Sequence, residues 1–185
     1  HPPEEGGPIR IWLMASFLVD KGHTVTIICG RSGESRIETL KEGKLKVVNL
    51  SVNYKNEFDT FDRTRAFYRY VRKAIRFLRS QRAHFDFSIA SSSPLTAALP
   101  ALWLKRKRNV PYILDLRDLW PKVLRDMKGL DVPGAFWYLK SLESRAYSQA
   151  SGVVAAAPSV YDELDQRGIR NLYLLTNMAD PLWSR

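Results

Sequence analysis

Several things are missing from this sequence, and each absence removes a class of protein. There is one cysteine, Cys29, so an internal disulfide is excluded, and its place in an apolar run predicts a small buried side chain in a reducing compartment. No apolar run reaches the roughly eighteen residues that a spanning helix needs. The richest stretch, residues 95–104, is closed off by Lys105, Arg106, Lys107 and Arg108. No basic segment feeds a long apolar one at the front, so nothing there resembles a signal peptide. The three histidines, His1, His23 and His84, lie far apart, and neither H-E-x-x-H nor C-x-x-C spacing occurs, so no metal site is expected. A G-x-G-x-x-G turn after a strand, a Walker sequence and a G-x-S-x-G elbow are all lacking, which argues against dinucleotide enzymes, P-loop enzymes and α/β-hydrolases.

Acidic residues are scarce in one place. The chain of 185 residues carries 29 basic and 19 acidic side chains, a net charge of +10. Residues 1–61 hold eight of each sign, and residues 126–185 hold six basic and seven acidic. Residues 62–125 hold fifteen basic and four acidic, so this stretch carries the whole excess. A surplus gathered in this way fits a surface that faces a polyanion better than it fits general solubility.

Hydrophobic periodicity then sets out the elements. After Pro8, apolar residues from Ile9 to Leu18 recur at helical spacing, and Gly22 offers a left-handed stop. The β-branched run at 24–29 predicts a strand, and a weaker one is expected at 45–50. Asp62 can cap a long helix in which Phe67, Tyr70, Val71, Ala74, Ile75 and Leu78 form one apolar stripe, the remainder being largely arginine. Further strands are expected at 86–90, 112–114, 152–156 and 171–175. Between them come a helix bent at Pro100, a helix over about 134–149, and a helix from Pro158 to Gly168. Strands that alternate with helices, and that are apolar on both faces, predict an α/β fold: a mostly parallel sheet covered by helices on each side, a three-layer α/β/α arrangement. The opening at His1 is expected to lack the strand that normally precedes such a first helix.

Parallel α/β sheets bind ligands at the carboxyl ends of their strands. Four segments are expected near that edge or on the adjoining surface. Glu4-Glu5-Gly6-Gly7-Pro8 feeds a helix start, where glycine lets backbone N–H groups approach an anion; a plain turn is the competing reading. Ser91-Ser92-Ser93-Pro94-Leu95-Thr96 offers hydroxyls to a sugar or phosphate, or simply an N-cap. Asp115-Leu116-Arg117-Asp118-Leu119-Trp120-Pro121 puts two carboxylates around an arginine. Asp118 is suited to act as a base toward a hydroxyl and Arg117 to hold a phosphate, while a self-paired salt bridge is the structural alternative. The fourth is the basic set, with Arg69, Arg72, Lys73 and Arg76 on the long helix and Lys105, Arg106, Lys107 and Arg108 after the apolar one. Anionic lipid and nucleic acid both suit such a patch, but no modular nucleic-acid signature accompanies it.

Taken together, these segments resemble the N-terminal domain of glycosyltransferase family 4 enzymes of the GT-B fold, in the bacterial branch that builds surface polysaccharide or lipid-linked sugar. The resemblance runs from Pro2-Pro3-Glu4-Glu5-Gly6-Gly7-Pro8-Ile9-Arg10 through Lys21-Gly22-His23-Thr24-Val25-Thr26-Ile27, Ile89-Ala90-Ser91-Ser92-Ser93-Pro94 and Asp115-Leu116-Arg117-Asp118-Leu119-Trp120-Pro121. It continues in Leu142-Glu143-Ser144-Arg145-Ala146-Tyr147, in Ala150-Ser151-Gly152-Val153-Val154, and in Leu175-Thr176-Asn177-Met178-Ala179-Asp180.

The resemblance implies a Rossmann-like, acceptor-side domain over residues 1–175 and the start of an interdomain linker at 176–185. The partner would be a C-terminal nucleotide-sugar domain that follows. No cofactor belongs to this half; a nucleotide sugar is the donor substrate of the whole enzyme, and transfer to a hydroxyl would be retaining. Gly6 and Gly7 would face the donor, while Glu5, Ser92, Ser93 and Trp120 would lie on the acceptor side and Pro121 in its floor. Arg117 stands where many members have a histidine, and Asp118 matches the aspartate beside it. Asn177 and Asp180 match hinge residues, with Met178 and Ala179 in place of the usual glycine and valine. The expected setting is cytoplasmic, at the inner face of a membrane, with an anionic surface or a lipid-linked acceptor as partner. The alternatives are a basic α/β nucleic-acid-binding domain, and a sugar epimerase half, against which the missing dinucleotide fingerprint counts.

Overall fold

A computed structural model describes residues 9–54, 60–92, 94–119 and 133–177. The chain divides into two compact units, His1–Glu57 with Asn177–Arg185, and Phe58–Thr176.

In the first unit, helix α1 (Ile9–Asp20) is followed by strands β1 (Val25–Arg31), β2 (Arg36–Leu40) and β3 (Leu45–Ser51). Gly22, at φ +94°, ends α1 as expected. Its N–H bonds to Val19 and that of His23 to Leu18, which satisfies the last helical carbonyls. The strand order is β1-β3-β2, with β1 parallel to β3 and β2 antiparallel to it. Ala15 and Val19 of α1 pack against Leu45 and Val47 of β3, with Trp12, Val25 and Ile27 around them. Strand β2 was not expected. Its residues alternate charged with apolar, and one of the apolar ones, Ile37, points into solvent, so no hydrophobic face marks it. The turn that returns it to β3 uses left-handed residues at Lys41, Glu42 and Gly43.

The polar centre of this sheet is Asn49, which is buried on β3. Its Nδ2 donates to Glu38 at 3.2 Å, and its Oδ1 receives the Cys29 thiol at 3.0 Å. Cys29 is thus only partly buried, and it serves as a donor to a buried amide as well as an apolar filler. Burial still pushes its thiol pKa upward.

The second unit runs through α2 (Thr60–Ser80), β4 (Ser88–Ser91), a 3-10 turn at Leu95–Ala98, α3 (Leu99–Arg108), β5 (Tyr112–Leu116), α4 (Pro133–Gln149), β6 (Gly152–Ala155), α5 (Pro158–Gln166) and β7 (Leu172–Leu174). The four strands are all parallel and adjacent in chain order. Parallel neighbours require crossovers, and α3, α4 and α5 lie between successive strands. Leu114, Leu116, Val153 and Ala155 fill the sheet, and Leu95, Ala98, Leu142, Ala146, Val160 and Leu164 cover it from the helices. Tyr112 is completely buried, and its hydroxyl donates to the Ala146 carbonyl at 2.6 Å. Along α2, Ala66, Val71, Ala74 and Leu78 face inward, while Phe67, Tyr70 and Ile75 are half-buried flanks of the expected stripe.

Pro100 does not bend a helix. The segment before it is a separate 3-10 turn, and Pro100 lies in the first turn of α3, where its missing N–H costs nothing.

Candidate functional site

The carboxyl edge of the second sheet is formed where β4 ends at Ser91, β5 at Leu116 and β6 at Ala155. Residues immediately past those ends are the candidates for chemistry. Strand β5 is longer than the expected 112–114 and takes in Asp115, which changes the reading of the Asp115-Leu116-Arg117-Asp118 segment.

Asp115 is fully buried, and the Ser91 hydroxyl donates to its Oδ2 at 3.3 Å. Its backbone carbonyl receives the Ser92 N–H at 2.8 Å, tying the end of β4 to β5. Asp115 is therefore inside the sheet and orders the edge. Past the strand, Arg117 is exposed and Asp118 is half-buried. The two carboxylates that flank the arginine in the sequence thus have separate positions, one within the scaffold and one at its rim. A side chain at the rim can meet a substrate; one at the bottom of the sheet can only hold its neighbours in place.

Ser92 lies beside this rim and is fully buried. Its Oγ has no hydrogen-bond partner among the described residues, and neither does the Oγ1 of Thr96 in the adjoining 3-10 turn. Buried hydroxyls without partners are costly and uncommon, and these two lie close in the chain beside the strand ends. Thr96 was part of the serine-rich turn in the sequence but was not singled out; only burial without a partner distinguishes it. Glu5, Gly6, Gly7, Ser93, Trp120 and Pro121 lie outside the described residues, as do Met178, Ala179 and Asp180. Asn177 is described, and in the first unit Arg10 of α1 donates to its Oδ1 at 3.4 Å.

The basic set divides by role. Arg69, Arg72, Lys73 and Arg76 are exposed on α2, with Arg72 over the ring of Tyr68 at 5.7 Å. Phe61 and Tyr68 are exposed on the same helix, 74% and 61%, so arginines and aromatics share a solvated surface. On α3, Arg106 and Lys107 are exposed and Lys105 is half-buried. Arg108 differs. Its guanidinium donates to the carbonyls of Leu78 at 2.9 Å and Gln81 at 2.8 Å, and it lies 5.8 Å from the Trp103 ring. It closes the C-terminal end of α2 onto α3.

The Leu142–Tyr147 segment has a structural network that its sequence did not announce. Tyr147 donates to Glu143 Oε1 at 3.0 Å, and Arg167 donates to the same oxygen at 3.2 Å. Arg167 also pairs with Glu163 on α5. Burial holds the Glu143 carboxyl above its ordinary pKa, against the opposing pull of Tyr147 and Arg167.

Among the described residues no helix is long and apolar enough to cross a membrane, and no group of three or more His, Cys, Asp or Glu is placed to hold a metal ion. No curated protein matches the chain. The family model of the glycosyl transferase 4-like domain does, over residues 5–174. With a helix-flanked sheet, mixed in one unit and all-parallel in the other, of the kind a Rossmann-like GT-B half requires, the chain belongs to this family of glycosyltransferases.

Proposed function

We propose that this chain is the acceptor-side half of an enzyme that moves a sugar from a nucleotide-sugar donor to a hydroxyl of a membrane-associated or polysaccharide-precursor acceptor, with retention at the anomeric carbon. The observation that carries this reading is the family match over 5–174, with Asp118 and Arg117 falling at the rim of the parallel sheet. That is where ligands of such sheets bind.

Asp118 takes the role of positioning or deprotonating the acceptor hydroxyl. Arg117 cannot accept a proton, because a guanidinium is already charged, so its role is to hold a phosphate oxygen. The part of Gly6 and Gly7 in this reading is to offer N–H groups to the negative charge that grows on the departing diphosphate. Ser92, Ser93, Trp120 and Glu5 belong to the acceptor side. The remaining donor contacts come from a C-terminal nucleotide-sugar domain, and the reacting centre forms when that domain closes over this one and excludes water. Arg108 is taken up by its bonds to the Leu78 and Gln81 carbonyls, while the residues that the sequence grouped with it, Arg69, Arg72, Lys73, Arg76 and Lys105 to Lys107, hold the enzyme against the anionic inner face of a membrane. The exposed rings of Phe61 and Tyr68 support this, since an amphipathic helix at a lipid surface needs both charges and apolar contacts.

Calorimetry of the 185-residue chain with nucleotide sugars tests this division of labour. Affinity of about millimolar or weaker is expected, and micromolar binding would overturn it, because the donor site would then be complete in this chain.

A further inference from the structure

The amino edge of the second sheet, opposite the rim that carries Asp118, holds an open cavity of about 460 Å³. It is lined by Arg79, Gln81, Arg82, Ala83, His84, Phe85, Arg108 and Val110, residues that precede β4 and β5. Three guanidinium groups around one recess repel each other unless something negative lies between them. None of the lining residues is acidic. Asp86 is the only acidic residue between Arg63 and Leu114, and it is exposed, facing His84 at 4.0 Å. Arg108 is fixed by its two carbonyl bonds and by Trp103, so one wall is rigid and already oriented. Arg79 and Arg82 are exposed at the mouth.

Basic residues in the last turn of a helix often do no more than complement its dipole. Arg108 accounts for that here, because it bonds the Leu78 and Gln81 carbonyls at the end of α2. Arg79 and Arg82 are surplus to that task. Two exposed guanidiniums beside a fixed one are suited to the oxygens of a phosphate, and the half-buried Phe85 adds an apolar residue to the lining.

We propose that this cavity is a second binding site, separate from sugar transfer, that takes a phosphate or diphosphate group through Arg79 and Arg82 with Arg108 as its fixed wall. The group comes either from a small soluble phosphate compound or from the head of an anionic lipid, and the same residues hold it in both cases. Such a site fixes a phosphorylated molecule on the face of the sheet away from the reacting centre.

The test titrates inorganic pyrophosphate into the 185-residue chain by calorimetry, and in parallel floats the chain with phosphatidylcholine vesicles with and without phosphatidic acid. Arg79→Gln and Arg82→Gln remove two guanidiniums of the lining at exposed positions. Arg65→Gln removes an equally exposed arginine elsewhere on α2 and controls for diffuse charge. One-to-one pyrophosphate binding that weakens about tenfold in each cavity variant, and stays within twofold in Arg65→Gln, supports the site with a soluble ligand. Binding to phosphatidic acid vesicles alone, with the same pattern of variants, supports it with a lipid head as the source. No binding to either probe, or equal loss in all three variants, overturns the proposal. No donor sugar or turnover enters these measurements, so they leave sugar transfer untouched. Loss of flotation in the unaltered chain would count against the membrane-facing role of Arg69, Arg72, Lys73 and Arg76 as well, whereas pyrophosphate binding and the Arg79→Gln and Arg82→Gln variants read the cavity alone.

Discussion

Glu143 is held almost out of water on α4, with Tyr147 and Arg167 both donating to one of its oxygens. Two opposing effects act on it. Arg167 and Tyr147 favour the carboxylate, and burial favours the neutral acid; burial wins, so the folded-state pKa is raised above 4.5. A carboxyl raised in this way binds its proton more tightly in the folded chain than in the unfolded one. Its contribution to stability is fully present below the ordinary value and is lost as pH rises through the raised one. Glu143→Gln keeps an oxygen for Tyr147 and Arg167 but cannot titrate. The stability of the native chain relative to Glu143→Gln is therefore expected to fall as pH climbs from 4.5 through the raised value, measured by urea unfolding at a series of pH values. A difference that grows with pH would mean that the pair with Arg167 outweighs burial. Asp115 gives the same lesson by another route. In the sequence it looked equivalent to Asp118, and only the length of β5 separates a buried carboxylate that orders the edge from a half-buried one just past the strand.

At the scale of elements, Arg108 joins two helices that share few other polar contacts. Its side chain donates to the Leu78 carbonyl, which also receives the Gln81 N–H at 3.3 Å, and to the Gln81 carbonyl just past α2. Arg108→Gln is expected to lower stability by about 1–2 kcal/mol. Lys107→Gln, exposed next to it, is expected to change stability by less than about 0.5 kcal/mol. Chemical unfolding of both variants distinguishes a latch from a solvated charge, and equal effects would refute the latch.

Helices and parallel strands were legible because their apolar residues recur with a definite period. Residues 45–50 and 152–156 are within a residue of β3 and β6, and Gly22 ends α1 where its backbone freedom is needed. Strand β2 was not legible because Arg36 and Glu38 bond each other and Ile37 is exposed, so tertiary pairing with β3 rather than burial makes it a strand. The bend expected at Pro100 failed for a related reason. A proline's effect depends on its place in the helix, and the sequence does not show that the preceding turn is 3-10. Of the candidate site, the strand-end position of Arg117 and Asp118 was readable from the order of elements. The buried hydroxyls of Ser92 and Thr96, without partners among the described residues, were not, because solvent access is a property of the packed fold.

For the whole molecule, the basic surface decides between lipid and nucleic acid. Each arginine near an anionic bilayer is worth about 1 kcal/mol, so changing Arg69, Arg72 and Arg76 together to Gln is expected to weaken flotation with phosphatidylglycerol vesicles on the order of a hundredfold. DNA retention on filters is expected to be weak and to vanish with modest salt. The reverse ranking, tight DNA and slight lipid association, would favour the nucleic-acid-binding alternative. The second unit has a further property that follows from the order of its strands. Helices α2 and α3, with the basic residues, accompany the β4 and β5 side of the sheet, and α5, with Asp162, Glu163 and Asp165, lies against β6 and β7 at the other side. The acidic side chains at that other side are largely offset by Arg167, which pairs with Glu163, and by Arg170, so the positive charge is gathered at one side of the sheet and the unit is an electric dipole. Near a charged interface it experiences a torque at a distance of about a Debye length, and it swings its arginine end forward before any side chain touches.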